Sequence, residues 1–445
     1  HDRFRTADGF CDPSDREAWL RLCDLWDRLG PDLVGALLTP FPPVRHGTPL
    51  ALRVARRGGL QLVRTLLSPA ADLAESWFGG REARALLLGN AGHADIPMQS
   101  PGSGLFGVVM SMLGQSVGFP VPEGGAQRLT EALVSRLQSR GGEVRCGQEV
   151  VRVVVDGGRA SAVRTADGTR VSARRAVLAD VVAPRLYGGL VASEDLPARV
   201  VRGMRDFRLD PGTVKVDFAL SGPVPWAVTP DTMPGTVHVS PSPDALTRSL
   251  GQVASGEVPA EPFLLMGQMT TTDPTRSPAG TESCWMYSHV PHRVVDDAGH
   301  VGGRIRGEWD ADDRERFADR MQAQVECVAP GFGERVLARR VLGPRELEAR
   351  DANLVGGAVN GGTSQIHQQL VFRPVPGWGR AETGIRGLYL ASASAHPGGG
   401  VHGAPGANAA RAALAHDRLR VGLPGVRTSR RGGRDVRRAA RSATR

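Results

Sequence analysis

The 445-residue sequence predicts an α/β fold with an α+β middle, and three stretches carry the prediction. Residues 1–114 read almost wholly as helices. Residues 119–179 run helix, hairpin, return strand. Gly387–Leu414 runs strand, glycine turn, helix, and the rest of the chain is organised around it. A strand that breaks into glycines before a helix brings bare backbone against a ligand. Glycine permits close approach, and the first-turn N–H groups favour negative charge.

In chain order, Ser14-Asp15-Arg16-Glu17 has the form of a capping box, and Trp19, Leu22, Cys23, Trp26 and Leu29 recur at helical spacing before Gly30-Pro31. The expected helix therefore stops at that Gly-Pro. Further helices are expected around Leu33–Leu38, Leu60–Leu67, Arg81–Leu88 and Leu105–Ser116, with the prolines at 40, 42, 43 and 49 marking a loop. Gly102–Gly107 satisfies G-x-G-x-x-G, yet no strand precedes it and no acid closes a βαβ unit some 20 residues on. It reads as a helix start packed with small residues.

From Phe119 the pattern is regular. A Pro-x-Gly-Gly loop precedes a helix with Leu129, Leu133 and Leu137 on one face, which Gly141-Gly142 ends. Glu143–Cys146 and Gln148–Val155 read as strands, then Ala160–Thr165, Arg170–Arg174 and the buried Ala176–Ala179. Asp156-Gly157 and Asp167-Gly168 supply hairpin turns. Thr213–Leu220, Pro262–Met269 and Glu282–His289 read as long strands and Arg314–Val328 as a helix. Leu388–Ala391 reads as a buried strand and Ala404–Leu414 as the helix after the glycines.

The formal net charge of +9 suggests nucleic acid until it is located. Residues 424–445 hold eight Arg and one Asp, hence +7, which leaves about +2 for the rest. That tail is expected to be disordered, and its removal to leave folding unchanged. Five cysteines without C-x-x-C spacing exclude a dithiol redox pair or a zinc site and point to a reducing, cytoplasmic setting. The uncharged run Ile96–Pro122, broken by four prolines, is too short at its apolar centre to span a bilayer.

Gly387–Leu414 (GLYLASASAHPGGGVHGAPGANAARAAL) resembles the C-terminal flavin signature of the phytoene desaturase-like FAD-dependent oxidoreductases, within the amine oxidase superfamily. The match is nearest the pyridine nucleotide-disulfide oxidoreductase domain-containing type. The resemblance implies FAD as cofactor, a Rossmann-like FAD/NAD(P)-binding domain, a mixed-sheet substrate domain and a helical cap. By position it implies flavin contacts at Ser392, Ala393, Gly399, Gly400 and Val401, and at Pro122, Gly124, Gly125 and Val150 in the middle segment. Ala391-Ser392 departs from the family's usual Cys-Gly or Val-Gly, although serine still offers a backbone N–H. Implied units are 1–114 (helical cap), 115–184 (FAD domain, middle), 185–350 (substrate domain), 351–420 (FAD domain, C-terminal) and 421–445 (basic tail).

The residues join the family pattern after its opening strand, G-x-G-x-x-G loop and helix, so the FAD domain is expected to be N-terminally incomplete and the chain a fragment or misplaced start. On that expectation residues 1–445 alone bind FAD roughly 10²–10⁴ times more weakly, since charge-assisted bonds to a diphosphate contribute about 1.5–3 kcal/mol each. They would also expose a sheet edge and aggregate. The resemblance implies hydride transfer from an apolar, carotenoid-like substrate C–H to flavin N5, with Ile96–Pro122 lining an entry path and room for peripheral membrane contact. Amine substrates rank lower, because no aromatic pair to sandwich an amine can be placed. A cofactor-free binding protein of the same fold is the alternative from another class. Nucleic-acid binding through the arginine tail is a third reading and is not expected. No catalytic acid or base is assigned, although His289, His292, His367, His396 and His402 lie in the relevant halves. Substrate, electron acceptor and oligomeric state are left open.

Overall fold

The computed structural model describes residues 2–56, 59–299 and 303–422. It is a mixed α/β structure. Its largest sheet has five strands in the order Val336–Leu342, Gly212–Leu220, Glu282–Val290, Leu264–Gln268 and Thr236–Val239, every pair antiparallel. The mixed sheet expected for this region is thus antiparallel throughout. The two-residue parallel pair of Glu257–Val258 with Asp296–Asp297 stands apart from it.

Alternation sets its two faces. Val214, Val216 and Phe218, with Cys284, Met286 and Val290, pack on Phe317, Ala318, Met321 and Val325 of the helix Ala311–Glu326. The other face carries Lys215, Trp285, Tyr287, His289 and His238. Gly267 lies opposite Trp285, and a Cβ there would sit 2.4 Å from the indole. Its bare backbone lets the ring lie flat across the strand.

The helical lobe departs from the sequence reading at both ends of its first long helix, Pro13–Leu38. Its N-cap is Asp12, whose carboxylate accepts the Ser14 N–H at 2.8 Å, with Pro13 at the first helical position. Ser14, expected as the N-cap with Glu17 reaching back to it, lies inside the helix and its hydroxyl donates to Asp12 at 2.8 Å, while Asp15 is fully buried and accepts the N–H groups of Gly79 and Gly80. The helix also runs through Gly30-Pro31. Proline forfeits a rung there, but the burial of Trp19, Leu22, Cys23 and Leu29 along the helix outweighs the loss, and the Trp26 ring, one turn earlier on the same helix, covers Gly30 where a Cβ would come within 2.6 Å. Pro49 likewise lies inside the helix Val44–Arg56. Helices Gly59–Leu67, Arg81–Ala91 and Ser103–Ser116 match expectation, and Ala70–Trp77 adds one. The last but one of these, Ser103–Ser116, starts inside the G-x-G-x-x-G segment with no strand before it.

In the middle segment the helix Gln127–Gln138 leads to a three-stranded meander, Val150–Asp156, Arg159–Thr165 and Arg170–Ser172. Glu143–Cys146 is not a strand, because no neighbouring strand offers it a ladder. Leu129, Leu133 and Leu137 do share a face, but that face is exposed. The return strand Val177–Ala179 pairs in parallel with Leu388–Leu390, so residues over 200 apart deliver their chain ends to one place. Past Leu390 come the glycines and then the helix Ala404–Gly422. That helix takes in residues 421 and 422 of the expected tail; the remainder of the tail lies outside the described residues.

Candidate functional site

The glycine turn rests on a buried polar base. Arg373 is 1% exposed and donates to the carbonyls of Asn360, Gly362, Thr363 and Ala393 at 2.8–3.4 Å. Burial draws its guanidinium down to about 10, opposed by the charge of Asp210. Asp210, fully buried, gathers the N–H groups of Val359 and Asn360 at 2.7 Å and of Gly362 at 2.9 Å. One side chain thus collects the carbonyls of the segment 359–363 and the other its N–H groups. Arg373 also ties that segment to Ala393. Replacing Asp210 by Asn turns two acceptor oxygens into one acceptor and one donor. A loss of about 2 kcal/mol of stability is expected by urea unfolding; a variant as stable as wild type would remove Asp210 from this role.

On that base Ser394, Ala395 and His396 are buried, whereas Gly399 through Gly403 are exposed. Gly398, Gly400 and Gly403 have φ of 111°, 142° and 61°, conformations that side chains disfavour. His402 Nδ1 accepts the Ala404 N–H at 3.0 Å, capping the following helix. Ser392 donates to the Val181 carbonyl at 2.7 Å and so locks the two parallel strand ends together. Among the expected contacts, Ser392 and Ala393 therefore join the base, while Gly399, Gly400 and Val401 stand open, Val401 at 95% exposure. The Pro122–Gly125 loop is fixed through Gly124, whose N–H reaches Asp273 Oδ2 at 2.7 Å, and Gly125 packs on Arg276. Val150 opens the meander opposite Thr165.

A second polar cluster adjoins the turn. Asp95, with φ of 57°, holds a carboxylate 2.6 Å from His289 Nε2, both nearly fully buried, and accepts from the Asn360 amide on its other oxygen. Burial pushes the His289 imidazole down, but the charges of Asp95 and Asp210 override it, and the net shift is upward. Beside it, His93 and His238 meet Nε2 to Nε2 at 2.9 Å, and burial lowers both. Trp285 and Tyr287 stack at 6.0 Å, with the Tyr287 ring edge-on to His289 at 5.5 Å. This aromatic shelf escaped the sequence reading because it needs the two-residue alternation of one strand combined with Gly267 across the sheet.

The helical lobe holds an apolar cavity of about 570 Å³, lined by Leu25, Leu29, Leu33, Leu50, Val63 and Leu105 among others. Its wall helix Pro13–Leu38 ends at the glycine turn, where the Leu38 carbonyl accepts from Asn408 Nδ2 and the Thr39 carbonyl from His396 Nε2. His396 was visible in sequence beside the glycines and His289 as a histidine of the substrate half, though neither was given a role. Asp210, Asp95 and Asn360 carried no signal, being brought in by tertiary structure alone.

Exposed glycines without side-chain bulk, on a rigid base and ahead of a helix N-terminus, suit a flat anionic cofactor. Comparison with known proteins points the same way. Residues 58–183 match the family described as flavin containing amine oxidoreductase. Pyridine nucleotide-disulfide oxidoreductase domain-containing protein 2 of Mus musculus is 28% identical over 397 residues, covering 84% of this chain and 66% of that protein. The neurosporene-forming phytoene desaturase of Rhodobacter capsulatus is 25% identical over 296 residues, covering 66% and 53%. This chain thus spans less than two thirds of the length of these relatives. A redesigned putrescine oxidase superposes with a TM-score of 0.51 at 17% identity, over 92% of this chain and 77% of that one, a likeness of fold. In sequence and in fold the chain is thus similar to the flavin amine oxidases and phytoene desaturases.

Proposed function

We propose that the chain is an FAD-dependent oxidoreductase acting on an apolar substrate. The observation that carries this reading is the exposed Gly399–Gly403 run, seated on the buried Arg373–Asp210 base. Ser392, Ala393, Gly399, Gly400 and Val401 would hold the cofactor from one side, and Pro122, Gly124, Gly125 and Val150 from the middle segment. Bound FAD would supply a hydride acceptor at N5. The protein's own part is to orient the ring, and the first turn of Ala404–Gly422 favours negative charge beside it. The layout proposed is an FAD domain from 115–184 and 351–420, interleaved with a substrate domain over 185–350 under a cap formed by 1–114.

Support for an apolar substrate comes from the cavity of about 570 Å³, whose lining is almost purely hydrocarbon. No helix among the described residues is long and apolar enough to cross a membrane. Val44, Leu52 and Leu60 are nonetheless exposed on helices that also carry Arg45, Arg53 and Arg56, which supports peripheral membrane contact.

The test is titration of FAD into the protein, followed by quenching of flavin fluorescence. Saturable quenching supports the reading, and its absence favours the cofactor-free binding protein. Gly400→Val is expected to weaken FAD at least tenfold, because the position has φ of 142° and a Cβ there would lie 2.8 Å from the His402 ring. Unchanged affinity in that variant would remove Gly400 from the cofactor contacts.

A further inference from the structure

We infer that Asn360 presents a ligand-facing acceptor, aimed by Asp95, that takes the ring N–H of the bound cofactor. This rests on the FAD reading above. A carboxylate only accepts, so the contact of Asn360 with Asp95 Oδ2 must use the amide nitrogen, Nδ2. The amide oxygen then faces the other way. Asn360 Oδ1 lies 2.7 Å from the point where a Cβ on Gly399 would sit, alongside the exposed glycines. Among the described residues it receives no hydrogen bond, while the rest of Asn360 is fully engaged. Its N–H goes to Asp210, its carbonyl accepts from Arg373, and its Nδ2 goes to Asp95.

Asp95 is itself immobilised. Its backbone closes the turn Gly92–Ala94, and its carboxylate stands against His289, which Thr213 and Tyr287 flank. Burying such an ion pair has a desolvation cost of several kcal/mol, so packing alone gives no reason for it. Fixing an amide in one of its two flips does give one. Asp95 is therefore a positioning residue acting through Asn360, with His289 as its counter-charge. The ligand chemistry is an imide or lactam N–H at the edge of a flat ring, and in oxidised flavin the imide N3–H is the ring's sole N–H.

The experiment compares FAD with FAD methylated at that imide nitrogen, by fluorescence titration of wild type, Asn360→Ala and Asp95→Asn. Wild type is expected to prefer FAD by about tenfold, the upper range for one neutral hydrogen bond. Asn360→Ala should bind the two flavins equally. Asp95→Asn should lose most of the preference, and the double variant should behave as Asn360→Ala alone. Wild type that binds both flavins equally overturns the inference without any variant, as does Asn360→Ala that keeps the preference. If Asp95→Asn keeps it in full, the positioning role falls. Wild type that binds neither flavin overturns the FAD reading itself, which separates that failure from this one.

Discussion

Arg373→Met is expected to lower stability by about 3–5 kcal/mol, the cost of breaking a buried charge network by removing one partner. Methionine keeps much of the volume but donates nothing. The carbonyls of Asn360, Gly362, Thr363 and Ala393 would each lose a donor, in a region where water has no access to replace it. Asp210 would keep its three N–H donors but lose the neighbouring positive charge. Because Arg373 ties 360–363 to Ala393, beside the Ser394 bond to the Gly361 carbonyl, FAD affinity should fall along with stability. Urea unfolding followed by circular dichroism reads the first effect and flavin titration the second. A variant within about 0.5 kcal/mol of wild type, the error of such extrapolations, would show that the network is not held through Arg373.

Acid should destabilise the protein through His238. Burial first, and then the neighbouring His93, depress its imidazole from 6.5 to about 3. A histidine with a lowered folded pKa binds its proton in the unfolded chain first. Its contribution is therefore complete above about pH 6.5 and is lost as pH falls toward 3. Each unit in that window costs about 1.4 kcal/mol, hence roughly 3 kcal/mol at pH 4. His93 moves in the same direction, and since the two rings touch, the pair titrates as one system. His289 has the opposite sign. Its folded value is raised, so its contribution is present below 6.5 and fades as pH rises through that raised value. His238→Gln should flatten the acid limb of the stability profile by about one proton while leaving the alkaline side alone. An unchanged acid slope would place the titration elsewhere.

What could be read from sequence followed how local the determinant was. Val177–Ala179, Leu388–Leu390 and the Asp-Gly hairpins announce themselves within ten residues, and they are where expected. Pro31 misled because a local breaker was outweighed by the burial of Trp19, Leu22, Cys23 and Leu29 against other helices, a balance invisible without those partners. Ser14–Glu17 misled because Asp12, two residues earlier, takes the N-cap and accepts the Ser14 N–H. The glycine turn was legible, since close backbone approach demands glycine. Its foundation was not: Asp210, Asn360 and Arg373 meet only after the segment 359–363 folds across the strand ends. Likewise no spacing rule links Asp95 to Asn360, which lie 265 residues apart.

The helix Pro13–Leu38 has a mechanical meaning as well as a packing one. Twenty-six residues at 1.5 Å each make a rod of about 39 Å. Its flank, from Leu22 to Leu33, forms the wall of the hydrocarbon-lined space, and its tip carries two carbonyls pinned to His396 and Asn408. Pro31, with its missing rung, lies within that flank, between Leu29 and Leu33. One continuous element therefore both lines the cavity and buttresses the glycine turn.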